Sequence, residues 1–162
     1  MKKTIIRLNN HKNINLTLLI GPAHYSKSFG YTIKEINKVK LSKVVRLNFD
    51  YSSSSNMQNI LQNFSNIMLN TQKFLEKKKI DCVIIMGDRY EMMAVSLVCI
   101  NNNIPIAHIC GGSETNGSID NEYRHSISQM SKFHFVETKF HKKKLNSMGI
   151  KQNVFVVGAP AL

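Results

Sequence analysis

Hydrophobic residues along this chain gather into six short runs, separated by longer stretches with helical spacing. Asn15–Ile20 is mostly apolar and stops at Gly21-Pro22. Val44–Asn48, Asp81–Met86, Ile104–Ile109, Phe133–Val136 and Val154–Val157 follow. Most of these runs are apolar at successive positions instead of alternating. Strands buried on both faces have this pattern, so it predicts a parallel sheet covered by helices on each side.

Between the runs the period changes. Met57, Ile60, Leu61, Phe64, Ile67, Met68, Phe74 and Leu75 recur close to i, i+3, i+4, i+7 spacing. This predicts an amphipathic helix with Gln58, Asn59, Gln62, Asn63 and Lys73 facing outward. The Ser52–Ser55 run ahead of it supplies turn and N-cap chemistry. Further helices are expected over Lys27–Val39, Tyr90–Asn101, Asn121–Ser131 and Lys139–Met148. Strand and helix therefore alternate, which implies an α/β fold with an open, Rossmann-like parallel sheet. No repeat and no long linker interrupts it, so one domain is expected over 1–162.

Composition narrows the function classes. The 162 residues include 22 Lys+Arg and 10 Asp+Glu, a formal charge of +12. The excess sits in the first fifty residues, where ten basic residues face two acidic ones. A basic third could attract nucleic acid or an anionic substrate. Its basic residues are not interleaved with aromatics as in single-strand binders, so a solvated Lys- and Asn-rich face is favoured and no nucleic-acid partner is expected. No apolar run approaches the ~18–20 residues of a membrane span, so no membrane partner is expected either. The start lacks the apolar core of a secretory signal. Cys82, Cys99 and Cys110 are odd in number and well separated, which fits free thiols in a cytoplasmic protein. Each is expected to be a small buried hydrophobe.

In a parallel α/β sheet, chemistry sits at the carboxyl ends of the strands. Three segments fall there. Gly87-Asp88-Arg89-Tyr90-Glu91 closes the third run, and Asp88 either caps the next helix or presents its carboxylate to a ligand. His108-Ile109-Cys110-Gly111-Gly112-Ser113-Glu114 closes the fourth; paired glycines let a ligand approach the backbone, while His108 by itself reads equally as a satisfied strand histidine. In Asp120-Asn121-Glu122-Tyr123-Arg124-His125, Asp120 and Arg124 are i, i+4. They form either a surface ion pair or a carboxylate and guanidinium aimed at a charged sugar phosphate. The chain has no Gly-x-x-x-x-Gly-Lys, no Gly-x-Gly-x-x-Gly and no His-Glu-x-x-His, which disfavours a nucleoside triphosphatase, an ordinary NAD enzyme and a zinc protease.

Taken together, Met86 to Thr138 resembles the UDP-N-acetylglucosamine 2-epimerases. It is most similar to the hydrolysing branch that makes N-acetylmannosamine or a related 2-epimerised sugar for sialic-acid-like nonulosonates. The residues carrying the resemblance are Gly87–Glu91, His108-Ile109-x-Gly111-Gly112, and Ile119-Asp120 with Arg124-His125-Ser126-Ile127. Leu16–Val39, including Phe29–Ile36, together with Lys132–Thr138 and Val154–Leu162, extends it over nearly the whole chain.

The resemblance implies a two-domain, glycosyltransferase-B-like architecture of which this chain is the N-terminal half. It would begin in the helix after the first strand and stop near the crossing into the second domain. The implied reaction removes UDP from C1 as a proton leaves C2, giving a glycal to which water adds. Asp88 and Asp120 would be the acid/base pair. Ser113 stands where the branch has a glutamate, leaving Glu114 one position later as a third catalytic candidate. Arg124 would orient a carboxylate or face the phosphates, Gly111 and Gly112 would line the sugar, and Arg89, His108 and Ser113 would complete the substrate contacts. The implied ligand is a UDP-sugar, with no metal or cofactor. With the diphosphate-binding half outside this chain, the fragment alone is expected to be inactive. The expected protein partner is a second copy in a homo-oligomer or a complementing C-terminal chain; the alternative function is a non-catalytic remnant or subunit that binds a partner chain completing the fold.

Overall fold

The computed structural model describes residues 1–52 and 56–160. They form two compact units, Met1–Asn70 and Thr71–Pro160.

The first unit carries α1 (Lys2–Asn9), β1 (Leu18–Ile20), α2 (Ile33–Asn37), β2 (Val44–Arg46) and most of α3 (Met57–Leu75). β1 and β2 pair in parallel, with Leu18 opposite Val44 and Ile20 opposite Arg46. The continuous helix expected over 27–39 is not formed. A 3₁₀ turn at Lys27–Phe29 ends at Gly30 (φ +80°), and Tyr31 (φ +49°) is also left-handed, so the α-helix restarts only at Ile33. A left-handed residue cannot continue a right-handed helix, and here two occur in succession.

α3 forms over the expected span but is rotated from the expected face. Asn63, Ile67, Thr71 and Leu75 are buried at i, i+4 intervals, while Met57 and Leu61 are exposed. Asn63 was expected outward from its polarity. Its amide nitrogen donates to the Ser52 carbonyl at 2.8 Å, and its Oδ1 accepts from the Ser52 N–H at 3.2 Å. A side chain satisfied at both ends loses most of the penalty of burial. The capping expected from the serine run rests partly on Ser53–Ser55, which lie outside the described residues; Asn56 accepts from the Asn59 N–H at 2.8 Å at the start of the helix.

The second unit alternates β3 (Val83–Met86), α4 (Tyr90–Asn101), β4 (Ile106–Ile109), α5 (Asp120–Met130), β5 (Phe133–Val136), α6 (Lys139–Ser147) and β6 (Val154–Val156). Its four strands are parallel and lie in chain order. Val83 is opposite Ile106, His108 opposite His134, and Val136 opposite Val156. β3 and β4 are adjacent and parallel, with β3 at the edge of this sheet. Its Ile84 and Met86 are partly exposed accordingly, and β4 is the strand buried at every position. Ile85, Cys99, Ile106 and Ile127 form the core beneath α4 and α5; Val136, Leu145 and Val154 form a second cluster beneath α6. The three cysteines are free. Cys99 is buried as expected, whereas Cys82 is exposed and Cys110 half-buried.

Replacing Asn63 by Leu follows the helical hydrophobic pattern but removes both contacts to the Ser52 backbone. The expected cost is about 1–3 kcal/mol, read as a lower urea midpoint at unchanged slope. An unchanged midpoint would contradict this account of the buried face.

Candidate functional site

β3 is followed by Gly87, whose φ of +95° turns the chain sharply off the sheet. The helix that follows is capped at Arg89, without a side-chain capping bond. Asp88 is therefore not the cap. Its carboxylate is ion-paired with Nη2 of Arg124, which projects from α5.

Arg124 is 5% exposed. Nη1 donates to the Ser113 carbonyl at 2.8 Å and to Asn121 Oδ1 at 2.9 Å; Nη2 also reaches Thr115 Oγ1 at 3.3 Å. Asn121 ties the same loop to itself, donating to the Thr115 carbonyl at 2.6 Å and accepting the Thr115 N–H at 2.9 Å. The loop thus wraps the guanidinium and aims it at Asp88. Burial lowers the Arg124 pKa from its usual value, yet a guanidinium stays charged at neutral pH. The side chain of Asp88 retains 25% of its exposure, so its carboxylate is both paired and reachable.

Asp120, which the i, i+4 spacing offered as the partner of Arg124, occupies the first turn of α5, and its backbone N–H donates to Ser118 Oγ at 3.1 Å. Arg124 turns instead toward the sheet. Asp120 is left half-buried at the N-terminus of a helix, where the macrodipole favours a negative charge.

The glycine turn after β4 is a packing device. Cys110 is left-handed (φ +67°) and its N–H donates to the Phe135 carbonyl at 3.0 Å. Gly111 and Gly112 are both buried. A Cβ at Gly111 would lie 2.9 Å from Ser128 Oγ and 3.1 Å from His108 Nδ1; one at Gly112 would lie 2.5 Å from the His141 carbonyl oxygen. The two glycines let α5 and α6 approach the strand end closely.

His108 lies fully buried under this turn. Nε2 is 2.9 Å from the Gly87 carbonyl and Nδ1 is 3.0 Å from Ser128 Oγ. Burial pulls its pKa down to about 4, opposed in part by the Gly87 contact, so the ring is neutral at pH 7. His134, opposite it in the sheet, is also shifted down by burial.

The remaining expected site residues lie nearer the surface. Ser113 Oγ donates to the Cys110 carbonyl at 3.2 Å. Glu114 is ion-paired with Lys144, which holds its carboxyl below the usual range, and His125 Nε2 is 3.7 Å away. Arg89 folds back on Glu91, with Nη2 at 2.9 Å. The thiol of Cys110 points at Glu137 at 3.6 Å, and burial with that carboxylate pushes its pKa up to about 11. Among the described residues no group of three or more His, Cys, Asp or Glu could hold a metal ion. An open depression of about 340 Å³ lies beside the loop, lined by Gly117, Ser118, Ile119, Asn121 and Glu122, without Asp88 or Arg124.

The structure thus brings Asp88, Arg124, His108, Gly111 and Ser113 into one linked cluster, while Arg89 and Glu114 are engaged elsewhere. Sequence reasoning missed Ser128, Asn121, Thr115 and Lys144. Ser128 lies four residues beyond Arg124 on α5 and was findable from that spacing. Lys144 meets Glu114 only through the tertiary fold.

The carboxylate–guanidinium pair lies at the carboxyl ends of the strands, where open parallel α/β sheets place their ligands. Residues 6–162 match the family model for UDP-N-acetylglucosamine 2-epimerase, and the chain belongs to that family. It is 37% identical over 156 residues to the GDP/UDP-N,N'-diacetylbacillosamine 2-epimerase (hydrolyzing) of Campylobacter jejuni, covering 95% of this chain and 40% of that protein. It is 32% identical to the UDP-N,N'-diacetylbacillosamine 2-epimerase (hydrolyzing) of Legionella pneumophila, covering 100% and 43%. The fold matches the crystal structure of UDP-GlcNAc 2-epimerase from Neisseria meningitidis bound to UDP-GlcNAc, with a TM-score of 0.80 and 27% identity over 98% of this chain and 42% of that one. The expected glycosyltransferase-B-like, parallel α/β class is therefore correct. The chain spans about two fifths of the length of the relatives it matches. Among the described residues no helix is long and apolar enough to cross a membrane.

Two stability outcomes follow from this geometry. Gly112→Ala must place a Cβ against the His141 carbonyl at a left-handed φ, whereas Gly117→Ala has the same kind of φ (+71°) with nothing within 4 Å. The second should cost about 1–2 kcal/mol from conformation alone and the first clearly more, by urea unfolding; equal costs would contradict the packing role. For His108, the unfolded ring takes a proton near pH 6.5 and the folded ring near 4. The stabilisation is full above 6.5 and is lost as pH falls through 4, by up to about 3 kcal/mol. Between pH 7.5 and 4.5 the wild type should lose more stability than His108→Gln; equal losses would contradict a buried neutral ring.

Proposed function

We propose that this chain supplies the N-terminal half of a hydrolysing 2-epimerase, acting on UDP-GlcNAc or a related UDP-sugar to release UDP and the free 2-epimerised sugar. The observation that carries this reading is the pairing of half-exposed Asp88 with buried Arg124 at the strand ends, in a chain of this family. The names of its relatives support the hydrolysing branch and a UDP-linked amino sugar.

The partner of a guanidinium is a carboxylate, and a carboxylate accepts a proton. Asp88 is thus the base for the C2 proton. As the C2–H bond breaks, its electrons form the C1–C2 double bond and the C1–O bond breaks toward UDP. Asp120, uninvolved in the Arg124 pair, is the candidate acid for the departing oxygen or for return of a proton to C2. Asp120 then gives a proton to the opposite face of C2 while the oxygen of a water bonds C1; the proton that water releases restores Asp120, and Asp88 passes the proton it abstracted to solvent. Both Nη groups of Arg124 are committed to the protein, so in this reading it orients Asp88 and the loop and does not grip the diphosphate. Gly111 and Gly112 shape the turn beside the sugar. Arg89 and Ser113 are contacts to the substrate, Arg89 by opening from Glu91. Glu114, held by Lys144, braces the loop, and no residue replaces the glutamate that the branch carries at position 113.

The chain spans about two fifths of its relatives' length; in this reading the rest supplies the diphosphate contacts, and these 162 residues turn over substrate only together with it, in one polypeptide or as a separate chain. The same fact leaves a second reading, a non-catalytic subunit that only binds such a partner. A coupled assay for UDP release from UDP-GlcNAc or UDP-N,N'-diacetylbacillosamine separates them. We expect no turnover by the 162 residues alone and turnover when the C-terminal half of the Campylobacter relative is added. In the reconstituted pair, Asp88→Asn should lower the rate by about 10²–10⁴ and Ser113→Glu should raise it. Robust release by the chain alone, or an unaffected Asp88→Asn, would overturn the assignment.

A further inference from the structure

His108 carries two polar contacts that join separate parts of the site. Its Nε2 meets the carbonyl of Gly87, the residue directly before Asp88, at 2.9 Å. Its Nδ1 meets Ser128 Oγ at 3.0 Å, and that hydroxyl lies 2.9 Å from the carbonyl of Arg124. The Arg124 guanidinium returns to Asp88. These contacts close a ring: Gly87, His108, Ser128, Arg124, Asp88 and back to Gly87.

A carbonyl only accepts, so the single proton of the neutral imidazole sits on Nε2 and is donated to Gly87. Nδ1 is then an acceptor, and the one Ser128 hydroxyl proton is shared between it and the Arg124 carbonyl. With the side chain at 0% exposure, His108 cannot touch a ligand at the surface. Its polar contacts are the Gly87 carbonyl and Ser128 Oγ, and its neighbour across the sheet is His134.

We infer that His108 is a positioning residue, which locks the β3–α4 turn to α5 so that Asp88 stays in register with Arg124. Gly111 belongs to the same device, because a Cβ there would press on both His108 Nδ1 and Ser128 Oγ. The role assigned to Asp88 rests on the proposed epimerase reading; the ring and its geometric consequence do not.

The test uses the 162-residue chain labelled with ¹⁵N and no sugar nucleotide. In the wild type, the His108 ring should show a proton on Nε2, an unprotonated Nδ1 and no titration between pH 8 and pH 5. The Arg124 Nη protons should be protected from exchange and observable. His108→Phe keeps the volume but removes both contacts, and should lose the Arg124 Nη signals. His108→Gln, which retains a donor toward Gly87, should keep a larger share of them. Arg124 signals that survive His108→Phe unchanged would overturn the inference. If that variant does not fold, the wild-type ring decides: a proton on Nδ1, or titration between pH 8 and pH 5, overturns it. Failure of UDP release with these signals as expected would remove the epimerase reading and leave the positioning role intact.

Discussion

The site depends on burying one guanidinium. Arg124 sits at 5% exposure on the side of α5 that faces the strand ends. An unpaired buried charge is intolerable, so its surroundings are fixed by its needs. Asp88 supplies the counter-charge, and the Ser113 carbonyl, Asn121 and Thr115 take further N–H groups. One residue thereby shapes the 113–121 loop and sets the position of the carboxylate at the end of β3. Removing one partner of a buried pair typically costs about 3–5 kcal/mol.

The same demand explains why the surrounding residues are small or neutral. Gly111 and Gly112 allow α5 and α6 to close on the strand end, and His108 fills the space beneath as an uncharged ring. A second cation there would compete for Asp88. Glu114 and Lys144 brace the loop from outside, where solvent screens their pairing and little stability rides on it. The interior sets geometry, and the exposed ion pairs adjust it.

Much of this was legible in the sequence. The six strands, α3, α4, α5 and α6 lie close to the positions that apolar runs and helical spacing indicate, because burial periodicity is a local property. Asp88, His108 and Arg124 were found because strand ends carry chemistry in parallel sheets. What was not legible depends on partners distant in the chain. Arg124 has an acidic residue at i−4 and ignores it for one 36 positions away. Asn63 looks solvent-facing until Ser52 is placed beside it. The helix over 27–39 is broken by two successive left-handed residues, one of them a tyrosine, for which the hydrophobic pattern holds no signal.

The most direct test of this account is a double-mutant cycle on Asp88 and Arg124. Unfolding free energies of the wild type, Asp88→Asn, Arg124→Met and the double variant would be measured in urea at pH 7. The account predicts that the single changes are each costly and that the double change costs well under their sum, with a coupling energy above about 1.5 kcal/mol. Single costs that add to within about 0.5 kcal/mol would mean that the two side chains act independently, and that the pair does not organise the site.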